Sequence, residues 1–164
     1  MARAIRSRNA TLVAFIVALG SMGYATLAMT AQNAPPPPAF QVVVSSKYDF
    51  EDTLALLKAA IEGENLMIIK EINPQQMLRM VGVHTKGMRQ LLFFHPRFMK
   101  RIMAANAHAT IEPPLKIAVM ETPQGNVVVK YVKPSALFGR YQGLAAIGQE
   151  LDALIAKIVA SVQQ

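Results

Sequence analysis

The 164-residue chain has no cysteine. That excludes disulfide staples, thiolate metal sites and a cysteine nucleophile. It does not argue against an oxidising compartment. A domain of about 120 residues buries roughly two thirds of its unfolded surface, enough to hold a core without cross-links. Charge is missing from one long stretch and acid from another. No charged residue occurs between Arg8 and Lys47, and no acid between Glu71 and Glu112. There is also no glycine-rich phosphate loop. Ser45, Ser46, Ser135 and Ser161 lie in no Gly-x-Ser-x-Gly turn, so no triad of nucleophile, base and orienter is legible. Paired carboxylates for acid–base work would have to come from Glu112, Glu121 and acids on helix faces. The expectation is a domain that is not an enzyme.

The uncharged stretch carries the address. Arg3, Arg6 and Arg8 precede Thr11–Met29, which is apolar or small throughout. Its 19 residues approach the ~20 that span a bilayer as a helix. A basic flank stays in the cytoplasm, so the rest of the chain is expected in the periplasm or outside the cell. Two readings stand. In one, residues 1–30 are a cleaved signal peptide, with a short core at Leu12–Leu19 and small residues Thr26, Ala28 and Thr30 at cleavage spacing. In the other they are a retained anchor in the inner membrane, and Pro35–Pro38 is a stiff spacer. Residues 31–39 are a proline-rich linker in either case, and residues 40–164 a single domain.

Phe40–Ser46 is β-branched and short, so a strand. Asp49 is placed to cap a helix whose apolar positions are Phe50, Leu54, Leu57 and Ile61, with Gly63 at its end. Leu66–Ile72 reads as a second strand. Asn73-Pro74 opens a short helix through Val81, closed by Gly82. Gln90–Phe94 is a third strand, and Pro96 opens a helix over Arg97–Asn106. Leu115–Glu121 and Asn126–Val132 flank Thr122-Pro123-Gln124-Gly125, the signature of a β-hairpin. Ile117, Val119, Val127 and Val129 are expected beneath a helix. Leu144, Ile147, Leu151, Leu154, Ile155, Ile158 and Val162 trace one face of a closing helix. The order is strand, helix, strand, short helix, strand, helix, hairpin, helix. Strands do not alternate singly with helices, so an α+β fold is expected, a mostly antiparallel sheet with helices on one face.

Phe93-Phe94-His95-Pro96, the proline-led Pro113-Pro114-Leu115-Lys116-Ile117-Ala118-Val119-Met120-Glu121 with its return Gly125-Asn126-Val127-Val128-Val129, and Val132-Lys133-Pro134 form an ordered set. Over about Val42 to Val159 the chain resembles the bacterial family called domain of unknown function 302. Ile72-Asn73 is similar to that family's Ile-Asp before the middle helix. The resemblance implies a fold like half of the TATA-binding protein, an antiparallel sheet backed by helices. Some members carry cysteines where His95 and Leu115 stand here, so their paired-thiol chemistry does not transfer. The family offers no established activity.

Two surface features carry functional expectations. The chain's net charge is +7, and the acid-free window holds Arg79, Lys86, Arg89, Arg97, Lys100 and Arg101 with all three histidines. Left unpaired, these cations would attract an acidic protein partner or an anionic lipid surface. The alternative is an ordinary solvated face. Nucleic acid is the usual partner of a basic chain, but export takes it out of reach. His95, Met99 and Met103 fall at i, i+4 and i+8, and Met80, His84 and Met88 repeat the spacing. Thioether with imidazole suits Cu(I), while methionine is equally an adaptable core filler. The expected function is thus a non-enzymatic extracytoplasmic binding or accessory domain without a cofactor, serving a membrane-bound complex. The alternative is a periplasmic Cu(I) or small-ligand protein. The membrane is a partner through residues 11–29 if they are retained, and the closing helix offers a homodimer surface if it does not pack on the sheet.

The address predicts a measurable topology. A reporter active only in the periplasm, fused after Gln164, is active; activity of a cytoplasm-only reporter at that position contradicts the reading.

Overall fold

The computed structural model describes residues 35–163. The expectations for residues 1–30, and for 31–34 of the linker, lie outside the described residues. Among the described residues no helix is long and apolar enough to cross a membrane. Pro35–Pro38 are exposed and belong to no helix or strand.

Five strands form one sheet: β1 (Gln41–Ser45), β2 (Met67–Ile72), β3 (Met88–Phe94), β4 (Leu115–Glu121) and β5 (Val127–Val132). Their spatial order is β1-β5-β4-β3-β2, and every pairing is antiparallel. The expected hairpin is present, with Ile117 opposite Tyr131 and Val119 opposite Val129. Its turn closes through Thr122 N–H to the Asn126 carbonyl at 2.7 Å. Gly125 sits at φ +88°, a conformation open chiefly to glycine. Edge strand β2 breaks register between Ile68 and Lys70.

The helices are α1 (Phe50–Gly63), α2 (Pro74–Arg79), α3 (Pro96–Ala105), α4 (Pro134–Phe138) and α5 (Ala145–Ala160). Asp49 caps α1 by accepting from the Asp52 amide at 2.9 Å, and Asn73 caps α2 by accepting from Gln76 at 3.0 Å. Two elements have no counterpart in the sequence pattern: a 3-10 helix over Ala107–Ile111, and α4. The β3 strand also begins at Met88 rather than Gln90, and α2 ends at Arg79, short of Val81.

The core lies on one face of the sheet. Leu54, Leu57 and Ile61 of α1 are buried there with Leu151, Ile155 and Ile158 of α5. Against them stand Leu91, Phe93, Ile117, Val119, Val127 and Val129 from the three central strands, all buried. Phe98 and Ile102 bring α3 into the same cluster.

Helix α4 depends on its neighbour. Its own N-terminus has no side-chain cap; instead Asp152 of α5 accepts from the Ser135 amide at 2.9 Å. The two helices approach closely at Gly148, where an added Cβ would stand 2.8 Å from the Ser135 Cα. Backbone cannot yield as a side chain does. Gly148→Ala is therefore expected to cost roughly 1–3 kcal/mol. Gly63 closes α1 with nothing within 4 Å of its virtual Cβ and no positive φ. Gly63→Ala is expected to add about 0.4–1 kcal/mol by restricting the unfolded chain. Urea unfolding of the two variants measures both signs.

Candidate functional site: the bare face of the sheet

Side chains alternate across a pleated sheet, so each buried residue has neighbours on the opposite face. The strand register arranges that second face in rows. Lys70, Leu92 and Lys116 stand abreast on β2, β3 and β4. The next row is Ile72, Gln90, Ala118, Lys130 and Val43, one residue from each strand. A third row holds Met88, Met120, Val128 and Ser45. Gln41 and Val132 pair at the β1 edge, level with the first row. No residue of these rows is fully buried. Phe94, at the end of β3, lies outside them, buried beside Phe98 of α3.

The composition of this face is unusual for a solvated surface. Lys70, Lys116 and Lys130 are the only charges in the rows, and none of the row residues is acidic or aromatic. Most of the remainder is Val, Ile, Leu or Met at partial exposure. A solvated face of an antiparallel sheet normally reads polar in alternation with the core. Here β4 reads Leu-Lys-Ile-Ala-Val-Met and β5 reads Val-Val-Val-Lys-Tyr-Val, apolar on both sides. The surface offers apolar area for burial and three ammonium groups to select an anion.

The cationic surface expected from the sequence lies elsewhere, on Arg79, Lys86, Arg89, Arg97, Lys100 and Arg101. The fold supplies most of these with partners from distant parts of the chain. Lys86 Nζ lies 3.6 Å from Glu121 Oε1. Arg89 Nε lies 3.3 Å from Glu71 Oε1, its Nη1 donates to Asn73 Oδ1, Gln75 Oε1 and the Met88 carbonyl, and its guanidinium stacks over Phe50 at 5.7 Å. Arg97 donates to the carbonyls of Glu64 and Asn65. Arg101 pairs with Glu150 through both Nη atoms, at 3.0 and 2.7 Å. That hydrogen-bonded pairing lowers the Glu150 carboxyl below its usual range and raises the Arg101 guanidinium. Both groups are half-exposed, so the pair adds little to stability. Arg79 and Lys100 are exposed, with no ion pair among the described residues. The six residues thus lie on α2, a loop, β3 and α3, with Arg97, Lys100 and Arg101 together on α3.

The metal candidates fare unequally. Met80, His84 and Met88 do not share a helix face: Met80 is the C-terminal cap of α2, His84 lies in the following loop and Met88 opens β3. His95, Met99 and Met103 keep their helical spacing. His95 is the cap of α3, and its Nδ1 accepts from the Arg97 amide at 3.0 Å, which leaves Nε2 for any ion. Met99 packs against the core and Met103 is 56 % exposed. Beside α3, a shallow groove of about 260 Å³ is lined by Arg97, Phe98, Glu150, Ala153, Leu154 and Lys157.

Two tyrosines on the helical side of the molecule are also shifted. The Tyr141 hydroxyl donates to Glu112 Oε1 at 2.6 Å, and that bond holds the phenol above its ordinary range. Burial does the same for Tyr131, reinforced by Asp152.

Comparison with known proteins agrees with this fold. The family model described as "Domain of unknown function DUF302" matches residues 42–162. A crystal structure of an uncharacterized conserved DUF302 protein from Bacillus stearothermophilus superposes with a TM-score of 0.70 at 18 % identity. The match covers 76 % of this chain and 99 % of that one, so the fold stands there without any further domain. No curated protein matches the chain.

The partners of Arg89 make it structural. Arg89→Ala, which leaves Glu71 with Lys58 as its one ion-pair partner among the described residues and removes three further hydrogen bonds, is expected to cost roughly 1–3 kcal/mol. Lys100→Ala, at an exposed position, is expected to change stability by less than about 0.5 kcal/mol. Thermal or urea unfolding distinguishes the two.

Proposed function

The chain belongs to the family described as domain of unknown function DUF302, and from that premise we propose that it works outside the cytoplasm as a binding or accessory domain, exported or membrane-tethered, whose ligand surface is the bare face of the sheet. The observation that carries the reading is the composition of that face. The two long helices cover the other side of the five-stranded sheet, and the side they leave is apolar with three lysines and no acid. Leaving such a surface in water forgoes about 25 cal/mol for each Å² of apolar area that a partner would cover. The same area would normally be covered by a second layer of structure. The extracytoplasmic address is supported by Arg3, Arg6 and Arg8 ahead of the uncharged Thr11–Met29 run. A domain held beside a membrane in this way is placed to serve a membrane-bound complex.

Site-specific crosslinking in intact cells tests the reading. A photoreactive residue replaces Val43, on the bare face and 39 % exposed, or Glu62, exposed on α1. A discrete adduct is expected from position 43 and not from 62, and Met120→Asp is expected to abolish it. The same adducts from both positions, or none from 43, would overturn the assignment of the face.

A further inference from the structure

Resting on that reading, the geometry points to the occupant: we infer that the bare face holds an acidic amphipathic helix of a partner protein, laid along β3. Lys70 and Lys116 stand on either side of Leu92, on the two strands flanking β3. Strands lie about 4.8 Å apart, so the two lysines are separated by about 10 Å at their Cα atoms. An α-helix with its side chains is about 10–12 Å across. A helix lying on Leu92, Gln90 and Met88 therefore places its two flanks over Lys70 and Lys116. The apolar stripe of that helix meets Leu92 and Met88 on β3, with Ala118 and Met120 beside them on β4. Carboxylates along both borders of the stripe meet the ammonium groups. This is the helix-in-groove mode of recognition, with apolar anchors for affinity and border charges for register.

The charges of the face decide among other occupants. A second copy packed face to face would set lysine against lysine, with no acid on either side to offset them. Single-stranded nucleic acid is held by aromatic platforms on which bases stack, and the rows of this face hold no aromatic residue. A bilayer takes up side chains that project from the surface, whereas Leu92, Met88, Ala118 and Met120 are all partly covered by their neighbours.

The test uses residues 35–164, which contain the whole unit that stands alone in the Bacillus relative. Amide spectra of the labelled domain are recorded with a helical peptide of about 25 residues, beyond the ~12–15 below which an isolated helix is marginal in water. One peptide carries a leucine stripe bordered by glutamates; a second carries the same stripe bordered by lysines. The glutamate peptide is expected to shift the amides of Lys70, Leu92, Met88, Lys116 and Met120, and to bind at least tenfold more tightly, about the effect of one well-placed charge pair. Its affinity should fall with salt as the Debye length shortens from about 10 Å at 0.1 M to about 3 Å at 1 M. The triple variant Lys70→Glu, Lys116→Glu and Lys130→Glu should invert the preference, and an inverted preference also shows that the variant is folded. Equal binding of both peptides, shifts confined to other surfaces, or an unchanged preference in the triple variant overturns the inference. Binding of anionic vesicles or duplex DNA through the same amides, with neither peptide bound, overturns it in favour of those ligands. A crosslinked adduct at position 43 with failure of both peptides would leave the face as the ligand surface and remove only the acidic helix.

Discussion

The structure depends on where the chain places its first two strands. β1 and β2 follow each other in sequence, yet they are the two opposite edges of the sheet. Helix α1 must therefore cross the full width of the sheet to join them. A crossing helix commits one face to the core, and α5 packs on that same side. Leu57, Ile61, Leu151 and Ile155 meet the central strands there, almost wholly out of water. Once both long helices are spent on one face, the described chain has no remaining long helix for the other. The bare face is thus a consequence of topology, and its apolar lysine-bearing composition is what makes it a candidate surface.

Much of this was legible in the residues because the signals were local. The spacing of Leu54, Leu57 and Ile61, the cap at Asp49 and the turn at Gly125 each act within a few positions, and each appears where expected. Helix α4 was not legible, because its cap is supplied by Asp152, 17 residues further along the chain. The lysines of the sheet were hidden for a related reason. Charge contiguous along the chain falls at Arg79 to Arg101. A sheet face is contiguous across strands, and Lys70, Lys116 and Lys130 are far apart in sequence. The alternation in Leu115–Met120, with a lysine on the side opposite Leu115 and Ile117, was the available signal.

The arginines of the acid-free window show the converse. A stretch without acids says nothing about acids that the fold brings from elsewhere. Glu71, Glu121 and Glu150 reach Arg89, Lys86 and Arg101 across 18, 35 and 49 positions of sequence respectively. Arg89 in particular ties β3 to β2 and to the start of α2, and its guanidinium lies over Phe50 of α1. Its charge is committed to holding that corner together.

The break in register at Ile68–Lys70 has a further consequence. An edge strand with unbroken pairing groups is a template on which another sheet can grow. A bulge interrupts that template and turns the strand's free edge. The β2 margin of the sheet is thus a poor seed for strand-by-strand polymerisation, a hazard for a chain whose β-rich, apolar segments must fold without disulfides to restrain them.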